Sequence, residues 1–210
     1  MKRIFAIGAS SIPGEYLLPK LVTAIVAAVP EVELRIEIAN SRQIFERVRR
    51  GEYPLGIIGT KYESPEVEYQ TVLPADRLIV ISPADHPLAA KKGLRLADLK
   101  GQAFITREKG SGTRATYEGA FEQAGFALDD LNVVAEVGTS EGIMRAVAAG
   151  AGITVVSELG VREAIQRGTV RKLDIPELTI TRDFSIITRT GKEPSKDTKE
   201  VISVIRSIMK

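Results

Sequence analysis

Four times along the chain an apolar, β-rich run gives way to a short Gly/Ser/Thr/Asn segment and then to a helix-patterned stretch: Gly8-Ala9-Ser10-Ser11, Asn40-Ser41, Gly110-Ser111-Gly112-Thr113 and Gly138-Thr139-Ser140. Hydroxyl and amide side chains at helix starts satisfy free backbone N–H groups. Those N–H groups, with the positive end of the helix dipole, favour anions. In open α/β sheets such turns collect at the carboxyl ends of the strands, where ligands bind. Ordinary capping explains any one of these turns. The four together predict a binding cleft walled by helix N-termini.

Strand-like runs fall at Arg3–Ile7, Val32–Ala39, Leu55–Ile58, Tyr69–Leu73, Arg77–Ser82, Ala103–Thr106, Val133–Val137, Ile153–Val156, Val170–Leu173 and Phe184–Arg189. Leu17, Leu18, Leu21, Val22, Ile25 and Val26 recur at helical spacing before Pro30. A second helix, capped by Asn40 or Ser41, runs through Ile44, Phe45 and Val48 and closes at Gly51, a position suited to a left-handed residue. Ala115–Ala124 is a third; Thr139 and Ser140 open a fourth, and a last one runs from about Ser195 to Ile208. Strand alternating with helix predicts mostly parallel sheets with right-handed crossovers. The prolines of Ser82-Pro83-Ala84-Asp85-His86-Pro87 and of Ile175-Pro176-Glu177 interrupt that rhythm. They divide the chain into a first lobe over residues 1–81, a second over 82–181, and a return of strand and helix to the first over 182–210. The cleft is expected between the lobes.

Composition narrows the function classes. The 210 residues are 27% charged and 44% apolar, with a net charge of +2. This is the balance of a soluble globular protein, and the charge is too small to argue for nucleic-acid binding by this chain. No apolar run approaches the roughly 20 residues of a membrane span. Met1-Lys2-Arg3 is followed by only a short apolar run that reads as a first strand, so a cytoplasmic protein, or a mature chain relieved of its signal, is expected. Cysteine is absent, which excludes disulfides, thiolate metal sites and cysteine nucleophiles.

Gly110-Ser111-Gly112-Thr113-Arg114 is the sharpest local motif. It lacks the Gly-Lys-Ser/Thr ending of a Walker loop and the third glycine of a dinucleotide fingerprint. A flexible turn with two hydroxyls and an arginine at a helix start suits an anion or carboxylate. Thr139-Ser140-Glu141-Gly142 offers hydroxyl caps without a capping box. His86 is the only histidine; with no cysteine or second histidine to join it at a metal, it is read as structural. Glu46, Glu118, Glu122, Asp129 and Asp130 read as solvated helix faces. No constellation supports a reaction, and neither a metal nor a cofactor is expected.

Longer stretches resemble the effector-binding domain of LysR-type transcriptional regulators. They are Ile7-Gly8-Ala9-Ser10-Ser11 with Tyr16-Leu17-Leu18-Pro19, Pro30-Glu31-Val32-Glu33-Leu34, and Arg49-Arg50-Gly51-Glu52-Tyr53-Pro54-Leu55-Gly56-Ile57-Ile58. They continue through Asp85-His86-Pro87-Leu88-Ala89, Leu96-Ala97-Asp98-Leu99, Arg107-Glu108-Lys109-Gly110-Ser111-Gly112-Thr113-Arg114 and Val147-Ala148-Ala149-Gly150-Ala151-Gly152-Ile153. The match runs end to end and is nearest the branch of cysteine and sulfur-metabolism regulators. The resemblance implies an α/β fold of two Rossmann-like lobes joined by two crossovers, of the type 2 periplasmic-binding-protein kind. The effector, an oxyanion or small carboxylate, would meet Ser10, Ser11 and Ile12, Asn40 and Ser41, Thr60, Gly110, Ser111, Gly112 and Thr113, and Thr139 and Ser140.

The family's amino-terminal winged helix-turn-helix has no counterpart in the sequence. It is expected either that this is an excised domain, with Met1 and Lys2 outside the natural sequence, or that it is a free-standing solute-binding protein of a transporter. DNA would then be met only through the missing domain, and no membrane would be met at all. The resemblance also implies a side-by-side antiparallel homodimer, or a tetramer in the full-length protein, with the Tyr16–Val29 helix of one subunit near the Thr113–Ala124 helix of the other.

Overall fold

The computed structural model describes residues 2–209. The chain forms two compact units, residues 1–75 with 183–210 (unit 1) and residues 76–182 (unit 2). It passes from one to the other at Ala75/Asp76 and returns at Arg182/Asp183, whereas the prolines suggested 81/82 and 181/182. The difference has a physical cause. The two strands read at Tyr69–Leu73 and Arg77–Ser82 are one continuous strand, β4 (Val67–Pro83), and Pro83 marks its end. Ala75 carries the strand through the apparent break at φ +57, and its N–H donates to Asp183 Oδ1 at 3.0 Å. That left-handed conformation costs a residue with a Cβ roughly 1 kcal/mol.

Unit 1 is built on β1 (Arg3–Ala9), β2 (Val32–Ile38), β3 (Leu55–Ile58) and most of β9 (Ile180–Arg189), in the order β2-β1-β3-β9 followed by β4. The pairs β1–β2 and β1–β3 are parallel, and β3–β9 is antiparallel. Helix α2 (Ser41–Arg49) packs Ile44, Phe45 and Val48 over the sheet against Tyr53, Ile58 and Ile187. Gly8 is required beneath it, since a Cβ there would lie 2.6 Å from the Tyr53 ring. The first predicted helix is interrupted by its prolines. Pro13 opens a π-helical turn to Leu17, Pro19 lies in a 3₁₀ turn, and only Val22–Ala28 (α1) is α-helical. The closing helix α6 (Lys196–Ile208), capped by Ser195, packs on α1.

Unit 2 pairs the end of β4 antiparallel with β7 (Thr154–Ser157) and β8 (Val170–Leu173), while β5 (Ala103–Arg107) and β6 (Asn132–Val137) are parallel. The expectation of mostly parallel sheets is corrected here. The strands that carry the chain between units run back against their neighbours, which makes the larger sheet mixed and leaves the two-stranded β5–β6 sheet parallel. Helices α3 (Gly112–Gln123), α4 (Ser140–Ala148) and α5 (Glu158–Gln166) complete the unit. The sequence reading missed α5. Its core packs Leu78, Val80, Phe104, Tyr117, Phe121, Ile153 and Val155 together. Gly152, at φ +143, lets the chain approach β5; a Cβ would stand 2.2 Å from the Ala103 carbonyl oxygen.

Gly152→Ala should therefore destabilise the protein by about 3 kcal/mol or more, because both the conformation and the space forbid a side chain. Gly119→Ala, in open space inside α3, should instead stabilise it by up to about 1 kcal/mol. Chemical denaturation of the two variants checks both signs.

Candidate functional site

In unit 1 the predicted turns gather at the carboxyl ends of adjacent parallel strands. The β1–β2 ladder ends with Ala39 N–H donating to the Ala9 carbonyl at 3.1 Å, and Ser10 N–H donates to the Ile57 carbonyl at 2.9 Å. Ser10, Asn40 and the segment leading to Thr60 therefore begin side by side. Ser10, Ser11, Ile12 and Ser41 are buried. Asn40 is the cap of α2, in a reciprocal capping box with Gln43 in which its Oδ1 accepts from Gln43 N at 2.9 Å. Its carbonyl end is thus committed to the helix, and Ser41 forms the first turn. Thr60 Oγ1 is buried without a hydrogen-bond partner.

Unit 2 repeats the arrangement. Arg107 is in register with Val137, so the turns after β5 and β6 also lie side by side. Gly110 adopts φ +90 in the first of them. Ser111 caps α3 by accepting from Arg114 N at 3.4 Å, and Thr139 caps α4 by accepting from Gly142 N at 3.1 Å. Gly112, Thr113 and Ser140 are buried and Thr139 is exposed. The structure thus groups the predicted residues in two sets, one at the strand ends of each unit.

Arg114 departs from its reading as an anion ligand. Its Nε donates to Glu118 Oε1 at 2.7 Å, and its Nη1 donates to the Arg107 carbonyl at 2.9 Å and to Glu136 Oε2 at 3.1 Å. The guanidinium braces the turn. His86 has the structural role expected of it: its Nδ1 accepts from Leu88 N at 3.2 Å and caps a 3₁₀ turn. Burial pushes its pKa down against the opposing charge of Asp85, a direction that favours the neutral ring on which the cap depends.

Sequence reasoning missed a buried polar cluster in unit 2. Asp76 is wholly buried and receives Arg182 Nε on Oδ2 at 2.9 Å and the Ser157 hydroxyl on Oδ1 at 2.7 Å. Ser157 in turn caps α5. Arg182 Nη1 donates to Thr113 Oγ1 at 3.1 Å, and the buried Arg107 donates from Nη1 to Ser140 Oγ at 3.0 Å. Burial lowers the Arg182 pKa, Asp76 opposes that, and the charge of Arg107 adds to the lowering. In unit 1, Ser185 on β9, opposite Ile58 on β3, is buried with a hydroxyl that has no partner. Among the described residues no group of three or more His, Cys, Asp or Glu could hold a metal ion, and no helix is long and apolar enough to cross a membrane.

Hydroxyl-rich turns at the carboxyl ends of parallel strands, repeated in two α/β units that exchange the chain twice, define a small-molecule-binding protein of the type 2 periplasmic-binding-protein kind. The LysR substrate binding domain family matches residues 2–210, and the chain belongs to it. It is 33% identical over 193 residues to an uncharacterised HTH-type transcriptional regulator of Methanocaldococcus jannaschii, covering 91% of this chain and 64% of that protein. It is 29% identical over 201 residues to the HTH-type transcriptional regulator CysL of Bacillus subtilis, covering 96% and 66% respectively, in keeping with the branch that the sequence resembles. The chain thus spans just under two thirds of the length of these two relatives. Among solved structures, the regulatory domain of Synechocystis PCC6803 CcmR in complex with 2-PG superposes with a TM-score of 0.88 at 30% identity, covering 100% of this chain and 98% of that one.

The orphan hydroxyls of Thr60 and Ser185 generate a prediction. Each is buried without a partner, which costs on the order of 1 kcal/mol or more. Thr60→Val and Ser185→Ala should therefore raise the melting temperature or leave it unchanged, and Thr60→Val should weaken ligand binding. Thermal denaturation with and without ligand measures both.

Proposed function

We propose that this chain is the effector-sensing part of a LysR-type transcriptional regulator that acts in the cytoplasm, controls transcription through a winged helix-turn-helix outside the chain, and catalyses no reaction. The observation that carries the reading is the recurrence, once in each unit, of a set of helix-start hydroxyls at parallel strand ends, with Ser10, Ser11, Ile12, Asn40, Ser41 and Thr60 in the set of unit 1. Gly110, Ser111, Gly112, Thr113, Thr139 and Ser140 form the other. Backbone N–H groups and hydroxyls so placed suit an oxyanion or small carboxylate. The CcmR regulatory domain, bound to 2-PG and alike along its whole length, supports an anionic effector.

Titration calorimetry with 2-PG should show saturable binding, and Ser11→Ala and Thr113→Ala should each weaken it by roughly 1 kcal/mol or more. Unchanged affinity in both variants would remove these turns from the site. The chain alone should give no sequence-specific shift of DNA at roughly 200 mM salt, where contacts to phosphates alone fade.

We further propose that the subunit pairs side by side and antiparallel, with the first helical segment of one copy near α3 of its partner. Leu18, Leu21 and Ile25 are buried, while Val26 is left 38% exposed on α1, and Val22 is only partly covered. An apolar face left over after the core is served needs a partner. Light scattering should show a dimer at micromolar concentration, and Val26→Glu should shift it to monomer. A dimer that survives the charge places the interface elsewhere.

A further inference from the structure

Thr113 and Ser140 stand in the first turns of α3 and α4 and are 5% and 7% exposed. Each accepts a hydrogen bond from a buried guanidinium, Thr113 Oγ1 from Arg182 at 3.1 Å and Ser140 Oγ from Arg107 at 3.0 Å. A guanidinium only donates, so each hydroxyl spends acceptor capacity on it and keeps its own proton to give. Among the described residues, neither hydroxyl donates onward. The arginines are fixed in turn. Asp76, bonded also to Ser157, holds Arg182 Nε, and Glu108 holds Arg107 through two contacts of 2.8 and 3.1 Å. The four charges balance in pairs. A group arriving at these helix starts therefore meets oriented O–H and N–H donors backed by guanidiniums that are themselves paired with carboxylates.

We propose that Arg182 and Arg107 are positioning residues of the effector site, which turn the Thr113 and Ser140 hydroxyls into committed donors so that unit 2 takes the acceptor-only end of a ligand. That end is a carboxylate, phosphate or similar oxyanion group, rather than a primary amide or an ammonium. The inference rests on the reading that an effector meets these turns, and it adds which chemistry this unit selects and which residues enforce it. Without the guanidinium a hydroxyl rotates freely and accepts from an amide N–H as readily as it donates to a carboxylate. With the guanidinium in place, an amide N–H finds donors facing it, and the mismatch is penalised.

The test uses 2-PG and inorganic phosphate as anions, and glycolate with glycolamide as a pair that differs only in an acceptor-only carboxylate against a donor-bearing amide. Thr113→Ser keeps the oxygen and should bind the anions within about threefold of wild type, while Thr113→Val should bind them about tenfold more weakly or worse. The double variant Asp76→Asn/Arg182→Met leaves no unpaired buried charge. It should stay folded by circular dichroism yet lose most of the wild-type preference for glycolate over glycolamide. A lesion that only loosened the fold would lower both affinities together and leave their ratio unchanged. Thr113→Val binding as well as Thr113→Ser, or a folded double variant with an unchanged ratio, overturns the positioning role while leaving the effector reading standing. If the double variant unfolds, the Thr113 pair decides alone. A wild type that binds none of the four probes overturns both.

Discussion

A wholly buried carboxylate organises unit 2. A buried carboxylate is costly without hydrogen-bonding partners, and Asp76 has two: the guanidinium of Arg182 and the hydroxyl of Ser157. Removing either charge alone would strand the other at a cost of about 3–5 kcal/mol. That penalty fixes the relative placement of β4, β9 and the start of α5, and through Arg182 it also fixes Thr113 at the start of α3. Three elements distant in the chain are thereby referred to one oxygen pair.

The two units reach similar ends by different means. In unit 1 the strand-end turns are set by backbone hydrogen bonds, such as Ser10 to Ile57 and Ala39 to Ala9, with a capping box at Asn40. In unit 2 buried ionic and hydroxyl contacts do the setting, with Arg107 reaching across from β5 to Ser140. Unit 1 consequently leaves hydroxyls such as Thr60 and Ser185 without protein partners, while unit 2 keeps its hydroxyls engaged by arginines.

Much of the fold was legible because periodicity and punctuation agree. The helices at Ser41–Arg49, Ser140–Ala148 and Lys196–Ile208 begin at polar caps and bury regular apolar stripes. Helix α5 was not legible. It follows β7 without a connecting turn and holds Gly160 in its first turns, so no boundary was visible; Ser157 as its cap was the one available signal. The continuity of β4 was hidden by Pro74-Ala75-Asp76, which imitates a turn; the left-handed Ala75 is kept within the strand by its N–H bond to Asp183, 108 positions away. The turns themselves were readable from their residue types. The arginines behind them were not, since Asp76 and Arg182 are 106 positions apart and neither belongs to a local pattern.

The chain enters and leaves unit 2 at Asp76 and Arg182, residues joined directly by a 2.9 Å contact. A segment whose two ends meet is closed in the topological sense, and its removal leaves its host with a gap that a short connection spans. Unit 2 is accordingly an insertion: residues 76–182 interrupt a chain whose remaining parts, 1–75 and 183–210, already share one sheet through β3 and β9. Such an architecture is suited to transplantation. The inserted unit carries its own clasp, so exchanging it between related proteins preserves the junction as long as the acidic and the basic residue travel together.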